Sequence, residues 1–468
     1  MRSWRRELAD QVRLATPVAL IQLGLMAMGL VDAAFVGRVS SADQAAVQLA
    51  HGYGFLFLGF GMGMLSALDP LVSQAWGARD TEAMRRSLQR ALVLAVLWTL
   101  PCALGVALTE TVLGMPILKQ PENVVPIAGD YAWVSLPGLL PFLLFTVVRQ
   151  ALQAMHRLRP LVIAIVATNL LNAFLDWVLV FGNLGFEAGG AVGSSWATVI
   201  SRWVLTLAVL WLAWPLLRPY LSCFDRAALA VRPLLRMVAL GVPIGFSWTM
   251  EVGAFYSVLL LIGRFGDDWQ AAHTVTMNLA SASFMVPLGI SIAGSVRVGN
   301  AIGAGDQSEM RQAARVAMGL GAGVMLVFAL LFVLVPATLA LAFSDIPEVV
   351  RLAALLIPIA GAFQVFDGVQ VVAVGLLRGT ADTRVPMVIQ VGGFWLLGMP
   401  VGYWLGIQRG QGPTGLWWGL VAGLVIVSGL QLWRVVARLS RDVERTDLED
   451  RRTEGGSGAD AGETAPGS

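Results

Sequence analysis

The chain has 468 residues, 57% hydrophobic and 13% charged, with a net charge of +2. A soluble domain carries about 25% charged residues, so a water-soluble globule is excluded. Each crossing of a hydrocarbon core about 30 Å thick takes about 20 apolar residues, so this length accommodates a dozen crossings. Unbroken apolar runs such as Trp269 to Val296 and Val316 to Ser344 exclude an outer-membrane β-barrel, whose strands alternate in polarity over about ten residues. Cys102 and Cys223 make no disulfide framework, and with His51, His156 and His273 they form no metal-ligand spacing. No structural metal and no cofactor is expected.

In chain order, Met1 to Arg13 is Arg-rich, and the apolar stretch behind it outruns a signal peptide without a small-residue cleavage site. Helix 1 therefore reads as an uncleaved anchor. Apolar runs bounded by Arg clusters, Pro and Gly predict helices over 14–37, 45–68, 88–109, 131–152, 160–182 and 192–217. Six more are predicted over 234–264, 270–297, 312–342, 350–376, 386–407 and 414–437. Cytoplasmic loops collect Lys and Arg, and with the N-terminus inside, 25 of the 32 basic residues fall on inner segments. The outer loops hold only Arg38, Lys119, Arg264, Arg351 and Arg409, while Arg149 and Arg202 fall within helices 4 and 6. This alternation predicts a multi-pass protein of a bacterial-type inner membrane with both termini cytoplasmic. Residues 440–468 turn polar and read as a disordered tail.

Sliding the chain on itself by 226 residues reveals an internal repeat. Leu14 and Pro17 fall on Leu240 and Pro243, and Gly37 and Arg38 on Gly263 and Arg264. Ala75, Gly77, Ala78 and Asp80 fall on Ala301, Gly303, Ala304 and Asp306. The offset spans six helices, an even number, so the halves are parallel repeats. In transporters built this way the substrate site lies between the halves near the midplane. The expected fold is an all-α polytopic membrane protein of two six-helix lobes, residues 1–217 and 234–439, with a cytoplasmic linker over 218–233.

Four acids lie inside apolar runs: Asp32 in helix 1, Asp176 in helix 5, Glu251 in helix 7 and Asp367 in helix 10. A charge at the bilayer centre costs about 2.5–3.5 kcal/mol or more, so such residues face a cavity or a partner and mark ion or proton pathways. Arg149 and Arg202 are the only intramembrane bases available to pair with them. Asn169, Asn172 and Asp176 stand at helical spacing and form one polar stripe, suited to a cavity wall or to interhelical hydrogen bonding. The acids are not duplicated by the repeat: Asp32 aligns with Val258, and Glu251 with Leu25. Trp248, Phe255, Phe284, Phe363 and Phe366, with Met250 and Met285, lie on or beside the acid-bearing helices. Such residues suit a pocket for flat cations. Small cationic or aromatic molecules are the expected partners besides the bilayer, with no nucleic acid and a monomeric state.

The run Val31-Asp32-Ala33-Ala34-Phe35-Val36-Gly37-Arg38 resembles the multidrug and toxic compound extrusion (MATE) family, as do Pro70, Gln74, Gly77 and Ala78. So do Arg297 to Gly305, Phe366-Asp367-Gly368, Leu377-Arg378-Gly379, Asp382-Thr383 and Pro386. The resemblance covers about residues 10 to 438, and Gly241 to Gly253 is most similar to the NorM-type branch. It implies a V-shaped pair of lobes exporting cationic, aromatic compounds by H⁺ or Na⁺ antiport. Asp32, Glu251 and Asp367 match the family's acids of helices 1, 7 and 10, with a Na⁺ position at Glu251 and Asp367 if sodium is the ion. Sodium-using relatives often carry Tyr one turn before the helix 10 acid, where this chain has Phe363. A lipid-linked precursor flippase of the same superfamily is the nearest alternative, and an ion channel a more distant one. No phosphate-binding loop and no grouped nucleophile and base are visible, so the chain reads as a gradient-driven carrier and not an enzyme.

Overall fold

The computed structural model describes residues 4–116 and 120–449. Among them are twelve helices long and apolar enough to cross a membrane. They are α1 (Trp4–Val36), α2 (Ser41–Gly77), α3 (Thr81–Ala107), α4 (Val125–Ala154), α5 (Arg159–Leu179) and α6 (Gly190–Leu221). The second set is α7 (Val231–Phe265), α8 (Asp267–Gly303), α9 (Gln307–Leu334), α10 (Pro347–Gly379), α11 (Arg384–Gln408) and α12 (Gly412–Leu439). The number agrees with the hydropathy reading, while several ends move outward because polar first turns escape an apolar-run criterion. Asp80 caps α3 by accepting from Ala83 N at 2.9 Å, and Asp306 caps α9 by accepting from Glu309 N at 2.8 Å. The two caps occupy equivalent places in the repeat and satisfy amides that have no intrahelical partner.

Proline sets the internal breaks. Pro70 lacks an N–H and its ring crowds the carbonyl of residue 66, so α2 breaks after Leu65 and resumes at Leu68. Pro137 likewise turns α4 into a short 3₁₀ segment over Leu136–Gly138. The run expected to continue to residue 342 stops at Leu334, just before Pro336. In α11 the helix widens into π turns over Gly392–Gly398 and Trp404–Gln408.

The lobes meet backbone to backbone, and the contacts obey the repeat. A Cβ on Gly77 would stand 2.0 Å from Asn300 O, and one on Gly303 would stand 1.9 Å from Gln74 O. Positions 74 and 77 become 300 and 303 under the 226-residue shift, so one contact is written twice about a pseudo-twofold axis. Midway along the helices, Gly63 of α2 abuts Gly245 of α7, and their equivalents Gly289 of α8 and Ala19 of α1 abut likewise. These approaches lie in the half of the molecule that carries both ends of the described chain, called here the terminal face. No side chain larger than hydrogen fits at Gly77 or Gly303 while the lobes are joined.

Two expectations change. The linker expected over 218–233 shortens to residues 222–230, because α6 runs on to Leu221 and α7 begins at Val231. Within it Asp225 accepts from Arg85 at 3.2 Å and Arg86 at 2.9 Å on α3. The tail expected to be disordered from Ser440 is packed as far as Glu449, and residues 450–468 lie outside the described residues. Val443 and Leu448 are buried. Asp442 reaches Arg311 at 3.0 Å, and Gln307 donates to Val443 O at 3.0 Å, both on the second lobe. On the first lobe, Arg445 pairs with Asp80 at 2.8 Å, Thr446 N donates to Gln74 Oε1 at 2.7 Å, and Glu449 meets Arg86 and Arg90. A charged composition suggests solvent, but here the charges find opposite partners on both lobes, and two apolar residues anchor the segment.

Candidate functional site

Between the lobes lies a cavity of about 860 Å³, walled by helices of both repeats. That is within the usual size range of small-molecule sites. Asp32, Glu251 and Asp367 line it. So do Trp248, Phe255, Phe284, Phe363 and Met285.

On the second-lobe wall, Asp367 is buried and close enough to Glu251 for their charges to interact. Glu251 Oε2 accepts from Gln390 Nε2 of α11 at 2.6 Å, and Gln370, one turn beyond Asp367 on α10, is also within reach of this carboxylate. Behind the acids is an aromatic cluster. Phe255 and Phe363 meet edge to face at 5.9 Å, Phe363 and Trp417 at 6.3 Å, and Trp417 Nε1 donates to His273 Nδ1 at 3.2 Å.

On the first-lobe wall, Asp32 is 1% exposed and accepts from Thr198 Oγ1 of α6 at 2.6 Å. It is therefore enclosed, not solvated at a mouth. Asp176 is fully buried behind it, near enough to feel its charge. Asp176 faces Asp32, with Ser194 beside it, and neither Asp176 oxygen nor Asp32 Oδ1 accepts a well-formed hydrogen bond. His51, which lines the cavity beside this pair, contacts the Tyr131 hydroxyl at 2.6 Å.

The two intramembrane arginines reach other partners than the four acids. Arg149 Nη1 donates to Gln22 Oε1 at 2.7 Å, and the Arg202 guanidinium lies 4.9 Å from the Phe142 ring centroid. Toward the terminal face, Arg378 of α10 pairs with Asp69 of α2 at 3.6 Å, the side chains 10% and 11% exposed. This ion pair joins the lobes beneath the cavity.

Five residues expected at the site, Asp176 among them, stand away from the cavity lining. Asn172 is fully buried within the first lobe, and Asn169 donates back to Ile165 O at 2.8 Å. The stripe at 169, 172 and 176 therefore faces lobe packing, and Asp176 meets the cavity only through Asp32. Phe366 packs into the second-lobe core, since one helical step from Asp367 turns its ring away. Met250 offers its carbonyl to Trp395 Nε1 at 3.0 Å. Sequence reading missed Asp69, Gln370, Gln390 and Thr198, and it named Arg378 only within the family resemblance. Asp69 carried a signal, an acid just before Pro70 in an apolar stretch, whereas a lone Gln or Thr in a membrane helix carries none.

The MatE family model matches residues 17–178 and again 243–404, two segments that stand at the same 226-residue offset as the repeat. Multidrug resistance protein NorM of Burkholderia vietnamiensis is 35% identical over 442 residues, covering 92% of this chain and 94% of that one. Multidrug resistance protein PmpM of Pseudomonas aeruginosa is 34% identical over 456 residues, covering 95% of each. Among solved structures, the eukaryotic MATE transporter AtDTX14 superposes with a TM-score of 0.84 at 21% identity, over 94% of this chain and all of that one. The Vibrio cholerae MATE transporter VcmN in its bent form gives 0.80 at 21% identity, over 94% and 98%.

Proposed function

Since the chain belongs to the MatE family, we propose that it is a multidrug efflux transporter that exports cationic, aromatic compounds by H⁺ antiport through alternating access. The observation that carries this reading is the cavity between the repeats, where three buried or part-buried carboxylates from both lobes meet a wall of aromatic rings. A flat cation is attracted by both features, through charge and through the negative faces of the rings. Arg378 is neutralised by Asp69 and Asp382 by Arg434, which leaves Arg149 and Arg202 against Asp32, Glu251 and Asp367. The balance favours cationic cargo over the anionic headgroup that a lipid-linked flippase would carry.

Coupling follows from linkage. A proton on the carboxylates weakens cation binding, and cation binding expels the proton to the same thermodynamic extent. In a one-for-one exchange of a proton for a monovalent cation no net charge crosses, so the pH difference drives transport, each pH unit supplying about 1.4 kcal/mol, a tenfold concentration ratio. The proton is preferred to sodium because Na⁺ requires several oxygen ligands. The Phe363 ring, packed against Phe255 and Trp417, offers none, while an amide nitrogen already occupies Glu251 Oε2.

Proteoliposomes loaded with a fluorescent aromatic cation test the coupling. A pH gradient imposed at constant Na⁺ is expected to drive transport, and a Na⁺ gradient imposed at constant pH to leave it unchanged. Drug release from purified protein on addition of Na⁺ alone would show that the ion is wrong.

The reading also places the terminal face in the cytoplasm, so the joined lobes correspond to an outward-facing state. Cys223 in the linker is exposed and free, while Cys102 is buried. A membrane-impermeant thiol reagent should therefore label inverted vesicles and spare intact spheroplasts. Labelling of the spheroplasts would reverse the orientation.

A further inference from the structure

The amide that meets Glu251 comes from α11, and α11 is built unlike its neighbours. Gln390 is 3% exposed, and its Nε2 stands 2.6 Å from Glu251 Oε2. Five residues on, Trp395 Nε1 donates to Met250 O, the residue before Glu251, at 3.0 Å. Between these two contacts the helix widens into the π turn that begins at Gly392. Such turns hold their backbone bonds in a less favourable i→i+5 pattern and are commonly found at functional positions. The opposite face of α11 is fixed to α12. A Cβ on Gly393 would stand 2.1 Å from a Val427 methyl, Gly402 meets Gly419 backbone to backbone, and Gln431 donates to Pro386 O at 2.9 Å.

α7 therefore has two attachments. Its first half is seated on α2 of the other lobe, where Gly241 and Gly245 lie against the backbone of Met64 and Phe60. Its middle is held to its own lobe by Gln390 and Trp395. A change in the first of those bonds alters how α7 is held between the lobes.

We infer that Gln390 is a positioning residue for transport, which orients Glu251 toward the cavity and carries its protonation state into α11. The inference rests on Glu251 being a coupling acid. A glutamine suits the task because its amide end serves both states of the acid. Its Nε2 donates to the carboxylate, and after rotation its Oε1 accepts from the protonated acid. Gln370, whose Oε1 is buried without a partner, offers a second such acceptor on α10. A charge-assisted hydrogen bond is about twice as strong as a neutral one. Protonation of Glu251 therefore weakens the tie between α7 and α11, at the wide turn most able to absorb a shift.

The test uses the full chain with Gln390→Met, close in size and unable to hydrogen bond there, and Gln390→Leu as a second variant should the first unfold. Each is made alone and together with Glu251→Gln. The single variants are expected to slow proton-driven efflux of a fluorescent aromatic cation about tenfold, as expected for loss of one hydrogen bond to a charged group. Infrared difference spectra recorded on acidification should show the carboxylic C=O band of Glu251 moved to higher frequency, and Glu251→Gln identifies that band by its disappearance. In the Glu251→Gln background, where position 251 can take up no proton, replacing Gln390 should leave the pH dependence of cation binding unchanged. An equal change of that pH dependence in both backgrounds, or wild-type efflux with an unmoved band, would overturn the role of Gln390. Full efflux by Glu251→Gln would instead overturn the underlying assignment of Glu251.

Discussion

Glu251→Gln and Asp367→Asn are each expected to fold, reach the membrane and lose gradient-driven efflux, by about 5- to 150-fold, the span of ordinary coupling energies. Both side chains line the cavity, and Asp367 lies within reach of the Glu251 charge. In the proposed cycle, two acids so placed bind a cation together and release it when a proton neutralises either one. Each amide is nearly isosteric with the acid it replaces, so the helix contacts survive while the titratable site is lost. Gln390 can turn to present Oε1 to an amide at position 251, which keeps that position satisfied. Efflux from proteoliposomes under an imposed pH gradient, at matched protein content, is the measurement. Wild-type rates in both variants would remove the second-lobe acids from the coupling machinery.

The second large effect belongs to the first lobe. Asp32→Asn, which lacks the charge, should bind the aromatic cation weakly and equally at every pH between about 5 and 8, whereas the wild type should bind it better as pH rises. The expected difference at the upper end of that range is about tenfold, again an ordinary coupling energy. The physical basis is the enclosure of Asp32 between Thr198 and Asp176. An amide there imitates the protonated acid by removing its charge. α1 carries Pro17 within its span, and proline is an established origin of helix bending, so a change of charge near its far end has a flexible element to act on. A binding titration of the two proteins decides. Equal affinity and equal pH dependence would mean that the enclosed pair serves the packing of the lobe only.

Much of this molecule is legible in its sequence because a bilayer imposes a requirement on composition. A residue facing lipid must be apolar wherever its helix packs, so twelve spans, their alternating loop charges and the repeat can be read without coordinates. The cost of an intramembrane carboxylate is just as independent of packing, which is why Asp32, Asp176, Glu251 and Asp367 stood out. Asp32, Glu251 and Asp367 do share one cavity, with Asp176 behind Asp32. The facing of a side chain depends on its neighbours instead. Asn169, Asn172 and Phe366 have the right chemistry and spacing, yet their helices turn them into lobe packing. Asp69 and Arg378, 309 residues apart, are joined only because the lobes close there, and the Gly77 and Gly303 contacts with Asn300 and Gln74 show their purpose only across the pseudo-axis. Residues 440–449 carry the composition of a solvated tail and become a packed strap because both lobes present opposite charges to it. Transfer from water to lipid is a property of each residue, and sequence alone determined what followed from it. Which polar groups meet is a property of the assembled helices, and only the tertiary structure decided that.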